Sequence, residues 1–444
     1  MHVAEFCHGL AFQDLPQPVI AQARRCLLDL IGVAASGRRT ELARIVIHVA
    51  THQLGASDNH GARILFDGRR ASPVGAAYAS ASLIDSFDAH DGHVLTKGHA
   101  GVSVLPALMA YWDAEKLSLD DRELLTVIVL GYEIATRAGI ALHRSVEDYH
   151  TSGAWGAIAC AAIGARMLKL TVPQTREALG TAEYHGPRSQ MMRCIDFPTM
   201  VKDGSGWGAL AGVSAAYLAA QGFTGAPAVT LEAAAQQSIW SDLGRRWYIL
   251  EQYFKPYPVC RWAQPAVEAV RQLMRTHQLR DAQLTTVEIR TFAEAVRLAT
   301  AAPATTEQAQ YSLAFPLAAM ILRGRIGADE ITGNGLTDKA VLELARRITL
   351  IEDPEICARF PAERFAVAKL LTKDGRSFES DWVEARGGPA NPLSEEEIRT
   401  KFRDLTTHLG EARSRAIESA VAALGTGLPK PAAPLADLIL ATAD

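Results

Sequence analysis

Between about residues 17 and 250 the sequence keeps one texture: Ala- and Leu-rich stretches with apolar positions every three or four residues, broken by Gly, Pro, Ser or Asp. That spacing gives each stretch one apolar helical face. In 17–35, for example, Val19, Ile20, Ala23, Cys26, Leu27, Leu30 and Ile31 recur at such steps and Gly37 follows. The same pattern predicts helices at 40–54, 72–88, 102–115, 120–141, 153–168, 173–183 and 205–221. Several have so little polar surface that they are expected to pack against one another in a buried multi-helix core.

The texture changes after the aromatic, Pro-containing stretch YFKPYPVCRW (253–262) and one further helix at 263–277. VEIRTF (287–292) alternates as a strand does, and FAVAKLLT (365–372) and RSFESDWVEA (376–385) flank Lys373-Asp374-Gly375, a hairpin signal. Helical pieces are expected at 308–323, 336–348 and 394–407, and the Ala/Pro-rich 426–436 reads as a loose connector. The expected fold is mainly α: a large all-α helical domain over 1–262, with 395–444 returning to it, and a smaller α+β domain over 263–394.

Composition narrows the function. The chain has 444 residues, 48% hydrophobic and 21% charged, with a formal charge of −4 and no polybasic stripe. Such a surface offers nothing to a phosphate backbone or an anionic bilayer, so nucleic acid and membrane are not expected partners. MHVAEFCHGL lacks the basic start and apolar run of a leader, and no stretch reads as the roughly 20 apolar residues that span a bilayer, so a cytoplasmic protein is expected. Six scattered cysteines form no C-x-x-C pair and read as reduced core residues.

Four polar constellations stand out. The densest is D85-S-F-D-A-H-D-G-H-V-L-T-K-G-H99, with three Asp, three His and one Lys in fifteen positions between apolar helices. Carboxylates beside imidazoles can fix a tautomer and tune a ring toward neutral pH, as proton transfer requires. Two other readings stay open there: a metal held by His90, Asp91 and His93, whose spacing matches no zinc signature, or a solvated loop in which Asp85 or Asp88 caps a helix. The second is D148-Y-H-T-S-G153, where Thr151 or Ser152 can cap the next helix and its free amides favour an anion, or where the turn is a plain cap.

The third is R188-S-Q-M-M-R193 followed by K202-D-G-S-G-W-G-A-L-A-G212, arginines suited to carboxylates and a lysine before a glycine-rich helix start. The P-loop order is absent, and close helix packing accounts for Gly206, Gly208 and Gly212. The fourth is F254-K-P-Y-P-V-C-R261, in which prolines stiffen a segment bearing Lys255 and Arg261, or which merely connects two domains. Serine-hydrolase, dinucleotide and zincin motifs are missing.

Taken in order, these segments resemble the MmgE/PrpD family. The family's D-[FY]-D-D-T-H resembles D85-S-F-D-A-H90, and its H-P-[GS] with a following Leu-Pro or Val-Pro resembles H99-A-G-V-S-V-L-P106. Its G-[FW]-H-P-T resembles D148-Y-H-T-S152, its lysine before G-x-A-A-x-x-G and L-A-x-x-G-F-T-G resembles Lys202 and L218-A-A-Q-G-F-T-G225, and its K-x-[YFW]-P-x-C resembles K255-P-Y-P-V-C260. Lesser matches at 28–33, 131–133, 311–313, 374–375 and 391–402 extend the resemblance over nearly the whole chain. It implies an all-helical domain with an α+β lid, usually a homodimer, and chemistry on a small polycarboxylate with no metal and no organic cofactor.

The resemblance places Asp85, His90, His99, His150, Lys202 and Lys255 in the site as catalytic residues; Tyr149 joins them as the partner of Lys202 in an epimerase, and Arg188, Arg193 and Arg261 are the expected carboxylate anchors. The expected reaction is addition or removal of water by a 2-methylcitrate dehydratase-like lyase. An iminodisuccinate epimerase-like or cis-aconitate decarboxylase-like enzyme and an inactive helical binding protein are the alternatives. Three departures bear on substrate: Ala89 where Thr is common, Gln264 where His is frequent, and Phe315 at the place of a decarboxylase tyrosine.

Overall fold

The apolar spacing of the first 250 residues is realised as long helices: Gln17–Gly37, Glu41–Gln53, Pro73–Asp85, Gly101–Ala114, Asp121–Ser145, Gly153–Met167, Val172–His185 and Ser205–Ala220. A computed structural model describes residues 3–57 and 59–442 and is mainly α. It divides into two units, one comprising 1–191, 202–253 and 394–444, the other 192–201 and 254–393.

In the first unit, caps start the helices where the sequence supplies them. Thr40, Ser72 and Thr171 accept the N–H groups of Ala43, Gly75 and Gln174, and Asp120 accepts those of Arg122 and Glu123. Small residues then let helices approach. A Cβ on Gly208 would lie 2.4 Å from the Gly153 carbonyl, and one on Gly212 would lie 2.1 Å from that of Ala157. The Gly153–Met167 and Ser205–Ala220 helices therefore meet backbone to backbone, which is what these glycines are for.

Asp121–Ser145 is the one helix among the described residues long and apolar enough to cross a membrane, which the sequence reading overlooked, but its whole apolar stretch is buried. Its two internal charges are paired. The Arg137 guanidinium lies 3.3 Å from Glu133 and 2.5 Å from Asp242, while Glu133 accepts the Ile249 N–H at 3.0 Å. This helix is core.

The unit is not purely helical: β1 (Ala62–Arg63) and β2 (Arg70–Ala71) form a small antiparallel pair. Nor is the Ala/Pro-rich tail wholly a connector. Residues 426–431 are irregular, but Ala433–Leu440 is a helix that buries Leu435, Ala436, Ile439 and Leu440, and the Ile439 carbonyl accepts the Phe66 N–H at 2.8 Å. Before it, Glu395–Leu405 packs on Gln17–Gly37: Phe402 lies against Gly32, and Ser36 Oγ donates to the Leu405 carbonyl at 2.8 Å.

The second unit holds a sheet in the order β4-β3-β5-β6, with β7 also on β5. Here β3 is Leu284–Thr291, β4 Ile348–Glu352, β5 Phe365–Thr372, β6 Ser377–Glu379 and β7 Val383–Glu384. β3 runs parallel to β4 and antiparallel to β5, with Ile289 opposite Ala368. The β5–β6 turn falls at Asp374-Gly375, where Gly375 takes φ +84. Gln264–Thr276 is the unit's main amphipathic helix, as its Pro265 start and Val267, Val270 and Leu273 stripe suggest.

Two sequence expectations fail in this unit. The helix expected at 308–323 is broken into Thr306–Gln310 and Ala314–Arg323 because Ser312 Oγ donates to the Thr300 carbonyl and accepts the Phe315 N–H, ahead of Pro316. The helix expected at 336–348 covers only Lys339–Ala345, and Ile348 begins strand β4, whose partner β3 is sixty residues away. Local periodicity does not see such pairing.

Candidate active site

The loop after the Pro73–Asp85 helix folds its polar side chains inward. Asp85, Asp88, His90, Asp91, His93 and His99 are all buried. Gly92 makes this possible, since a Cβ there would fall 2.7 Å from His99 Nδ1 and 2.5 Å from the Tyr253 hydroxyl. Asp85 Oδ1 lies 3.8 Å from His90 Nε2, and the His90 and His99 rings meet edge to face at 4.2 Å.

His99 has a defined tautomer. Its Nδ1 bonds the Asp91 carbonyl, which can only accept, so Nδ1 carries a proton and the ring, once neutral, has its lone pair at Nε2. That Nε2 lies 3.8 Å from Asp203 Oδ2. The ring is fixed from behind as well, for the Asp91 carboxylate accepts the hydroxyl proton of buried Tyr132.

Two other segments close on this loop. Ser152 accepts the His99 N–H at 2.9 Å and donates to Asp203 Oδ2 at 2.6 Å. Its oxygen is thus engaged, and neither Ser152 nor Thr151 caps the Gly153–Met167 helix as the sequence suggested; the Gly153 N–H goes to the Asp203 carbonyl at 3.1 Å. Lys202 and Gly204 both take left-handed backbone, φ +47 and +62, a sharp reversal that carries Lys202 from exposed Val201 to a buried position. The first N–H of the following helix, Ser205, donates to Asp85 Oδ2 at 3.2 Å. Asp85 does cap a helix, though in a segment 120 residues away, while facing His90.

Burial disfavours charge on these acids. Asp85 is pushed up to about 6 by desolvation, partly offset by the positive Lys202, and Asp203 is raised by desolvation against the pull of His99. Asp91 is raised to about 7 by desolvation and by Asp29. An acid raised on folding gives stability that is complete below its ordinary value near 4 and lost as pH rises through about 7. Asp91→Asn should therefore flatten the stability loss between pH 5 and 8, an effect on the order of 2 kcal/mol read by urea unfolding at both pH values. A variant that loses stability in parallel with wild type contradicts the assignment.

The remaining expected residues fall into two groups. Tyr149 and His150 precede Ser152 in a half-buried turn tied to 189–191, with Thr151 N–H on the Ser189 carbonyl at 2.9 Å and Met191 N–H on that of Tyr149 at 2.7 Å. The His150 N–H donates to His143 Nε2 at 3.0 Å, and His143 is held down to about 4 by desolvation and by Lys97, so it is a neutral acceptor. The Tyr149 ring lies 4.4 Å from Lys97 Nζ. Arg188 in this unit is exposed.

Arg193, Lys255 and Arg261 belong to the second unit. Arg193 is exposed and Lys255 is buried. Arg261 donates to the carbonyls of Arg386 at 2.6 Å and Ala385 at 3.1 Å, so much of its guanidinium is used in holding backbone. Gln264, where a histidine is frequent, staples the 257–261 turn through the Tyr257 and Val259 carbonyls at 3.1 and 2.9 Å. Phe315 is wholly buried.

The metal alternative changes membership. His93 turns away, its Nδ1 accepting the Leu95 N–H at 3.2 Å and its Nε2 lying 3.5 Å from Glu251. The ligating atoms that do cluster, within 4.8 Å, are those of Asp88, His90 and His99. Asp203 and Ser152 escaped the sequence reading as site residues. The available signal was an acid directly after Lys202 at the mouth of a glycine-rich helix.

Residues 1–238 match the MmgE/PrpD N-terminal domain and residues 257–426 the MmgE/PrpD C-terminal domain. The chain belongs to the MmgE/PrpD family. Among its relatives, a cis-aconitate decarboxylase of Aspergillus terreus is 23% identical over 95% of this chain and 92% of its own length. Cis-aconitate decarboxylases of Mus musculus and Homo sapiens are 24% and 25% identical, over 90% and 89% of this chain and 85% of their own.

Proposed function

We propose that this MmgE/PrpD member is a lyase acting on a small di- or tricarboxylic acid, which takes a proton from the carbon next to a carboxylate and expels water, as in 2-methylcitrate dehydration. The observation that carries this reading is His99, whose Nε2 lone pair is fixed by the Asp91 carbonyl inside a buried cluster of acids and imidazoles. Nε2 removes the proton. Lys202 supplies positive charge for the enolate that forms, and Asp85, near half-protonated around pH 6, supplies the proton with which hydroxide leaves as water. The reverse steps hydrate the alkene.

A second reading, decarboxylation, is supported by the names of the relatives. There the carboxylate leaves as carbon dioxide and the resulting carbanion takes a proton back. The resemblance weighs against it, since Phe315 stands at the place of a decarboxylase tyrosine and has no hydroxyl proton. The epimerase reading would pair Tyr149 with Lys202, yet Tyr149 faces Lys97 and Lys202 acts on Asp85. Incubation with citrate, 2-methylcitrate, cis-aconitate and iminodisuccinate, followed by NMR and carbon dioxide trapping, separates the three. An alkene formed without carbon dioxide supports dehydration; carbon dioxide release replaces it with the second reading.

The proton transfers run between protein groups, so exhaustive EDTA treatment should leave turnover unchanged. Loss of activity, restored by one divalent ion, would place that ion among Asp88, His90 and His99 and overturn the mechanism.

A further inference from the structure

The Glu395–Leu405 helix sends one half-buried charge toward the histidine loop. Lys401 Nζ donates to Asp29 Oδ1 at 2.5 Å and to the Ala89 carbonyl at 2.6 Å, and its side chain is 11% exposed. Asp29 is buried within the Gln17–Gly37 helix. The Ala89 carbonyl belongs to the peptide that leads into His90, so its direction sets where the His90 ring starts.

Docking of the helix does not need this contact. Phe402 on Gly32, the Ser36–Leu405 hydrogen bond and buried Ile398 already join the two helices. The Asp29 contact neutralises a buried carboxylate, which is a structural task. The bond to Ala89 instead reaches across to the loop, where a charged donor holds a carbonyl more firmly than a neutral one would. It acts one peptide before His90, whose Nε2 faces Asp85 and whose ring meets His99.

We propose that Lys401 is a positioning residue: by fixing the Ala89–His90 peptide it aims the His90 ring at Asp85 and His99. The catalytic part of this statement rests on the proposed proton-transfer site; the aiming of the ring does not. Small displacements of a reacting group cost rate far more than binding, so the loss should appear in kcat.

The test compares Lys401→Met with the double variant Asp29→Asn/Lys401→Met in the full chain. Removing the lysine alone takes a cation away from buried Asp29 and should lower Tm; the double variant removes both charges and should recover it. With histidine rings labelled in nitrogen-15 and His90 assigned through His90→Gln, both Lys401 variants should show displaced or broadened His90 ring signals. Turnover of whichever acid is accepted should fall about 10- to 100-fold in kcat, with KM within about twofold of wild type. A double variant with wild-type His90 signals overturns the proposal and leaves Lys401 a structural staple, as does one with restored kcat. If wild type turns over no polycarboxylate, the proposed lyase falls while the ring signals still decide the role of Lys401.

Discussion

His99→Gln should lower kcat by about 10²- to 10⁴-fold, the usual worth of a positioned general base. Glutamine retains an N–H able to donate to the Asp91 carbonyl, so the loop should keep its conformation and Tm should stay close to wild type. What it lacks is the basic lone pair at the former Nε2. His150→Gln is the informative comparison, because His150 sits two residues before Ser152 in the adjoining turn and the sequence favours it equally as a base. Steady-state kinetics and melting curves on both variants separate them. Near-normal kcat in His99→Gln would remove that ring from proton transfer; a far larger loss in His150→Gln would transfer the role.

Lys202→Ala should lower kcat/KM by about 10²- to 10³-fold, as loss of one preorganised charge partner for a developing enolate does. Two features argue that this lysine is held for chemistry. Its backbone is left-handed at φ +47, a conformation with a steric cost for a residue bearing Cβ, and its side chain is buried where its charge lowers Asp85. Alanine leaves the backbone cost in place but removes that charge, so Asp85 should rise further above 6 and the alkaline limb of the pH profile, where this acid loses its proton, should move upward. Unchanged kcat/KM with an unmoved profile contradicts the assignment.

The helices were legible because each carries its own signal. Spacing of apolar residues marks Gln17–Gly37 through Ser205–Ala220, and Ser, Thr or Asp at the starts of several of them does the capping. Strand β4 was not legible, since Ile348–Glu352 is short and is a strand only because β3 lies beside it. The helix Ala433–Leu440 hid behind prolines that suit the first turn of a helix as well as a linker.

In the site, Asp85, His90 and His99 announced themselves by density within one loop, and the structure does bring them together. Asp203 and Ser152 did not, because their part depends on three segments meeting: His99 from one, Ser152 from the second and Asp203 from the third. The same holds for Lys401, which lies 312 residues from the carbonyl it holds. Arg261 shows the opposite case: an arginine beside prolines reads as a carboxylate anchor, and the sequence gives no sign of the two backbone carbonyls it also holds.

The claim that His99 moves a proton at the carbon next to a carboxylate is tested most directly by solvent exchange. Wild type and His99→Gln are incubated in deuterated water with a panel of dicarboxylic and tricarboxylic acids, followed by proton NMR. Wild type should introduce deuterium at that carbon in at least one acid, and His99→Gln should slow it by about 10²-fold or more. Exchange that proceeds undiminished in the variant, or none in any acid with wild type, contradicts it.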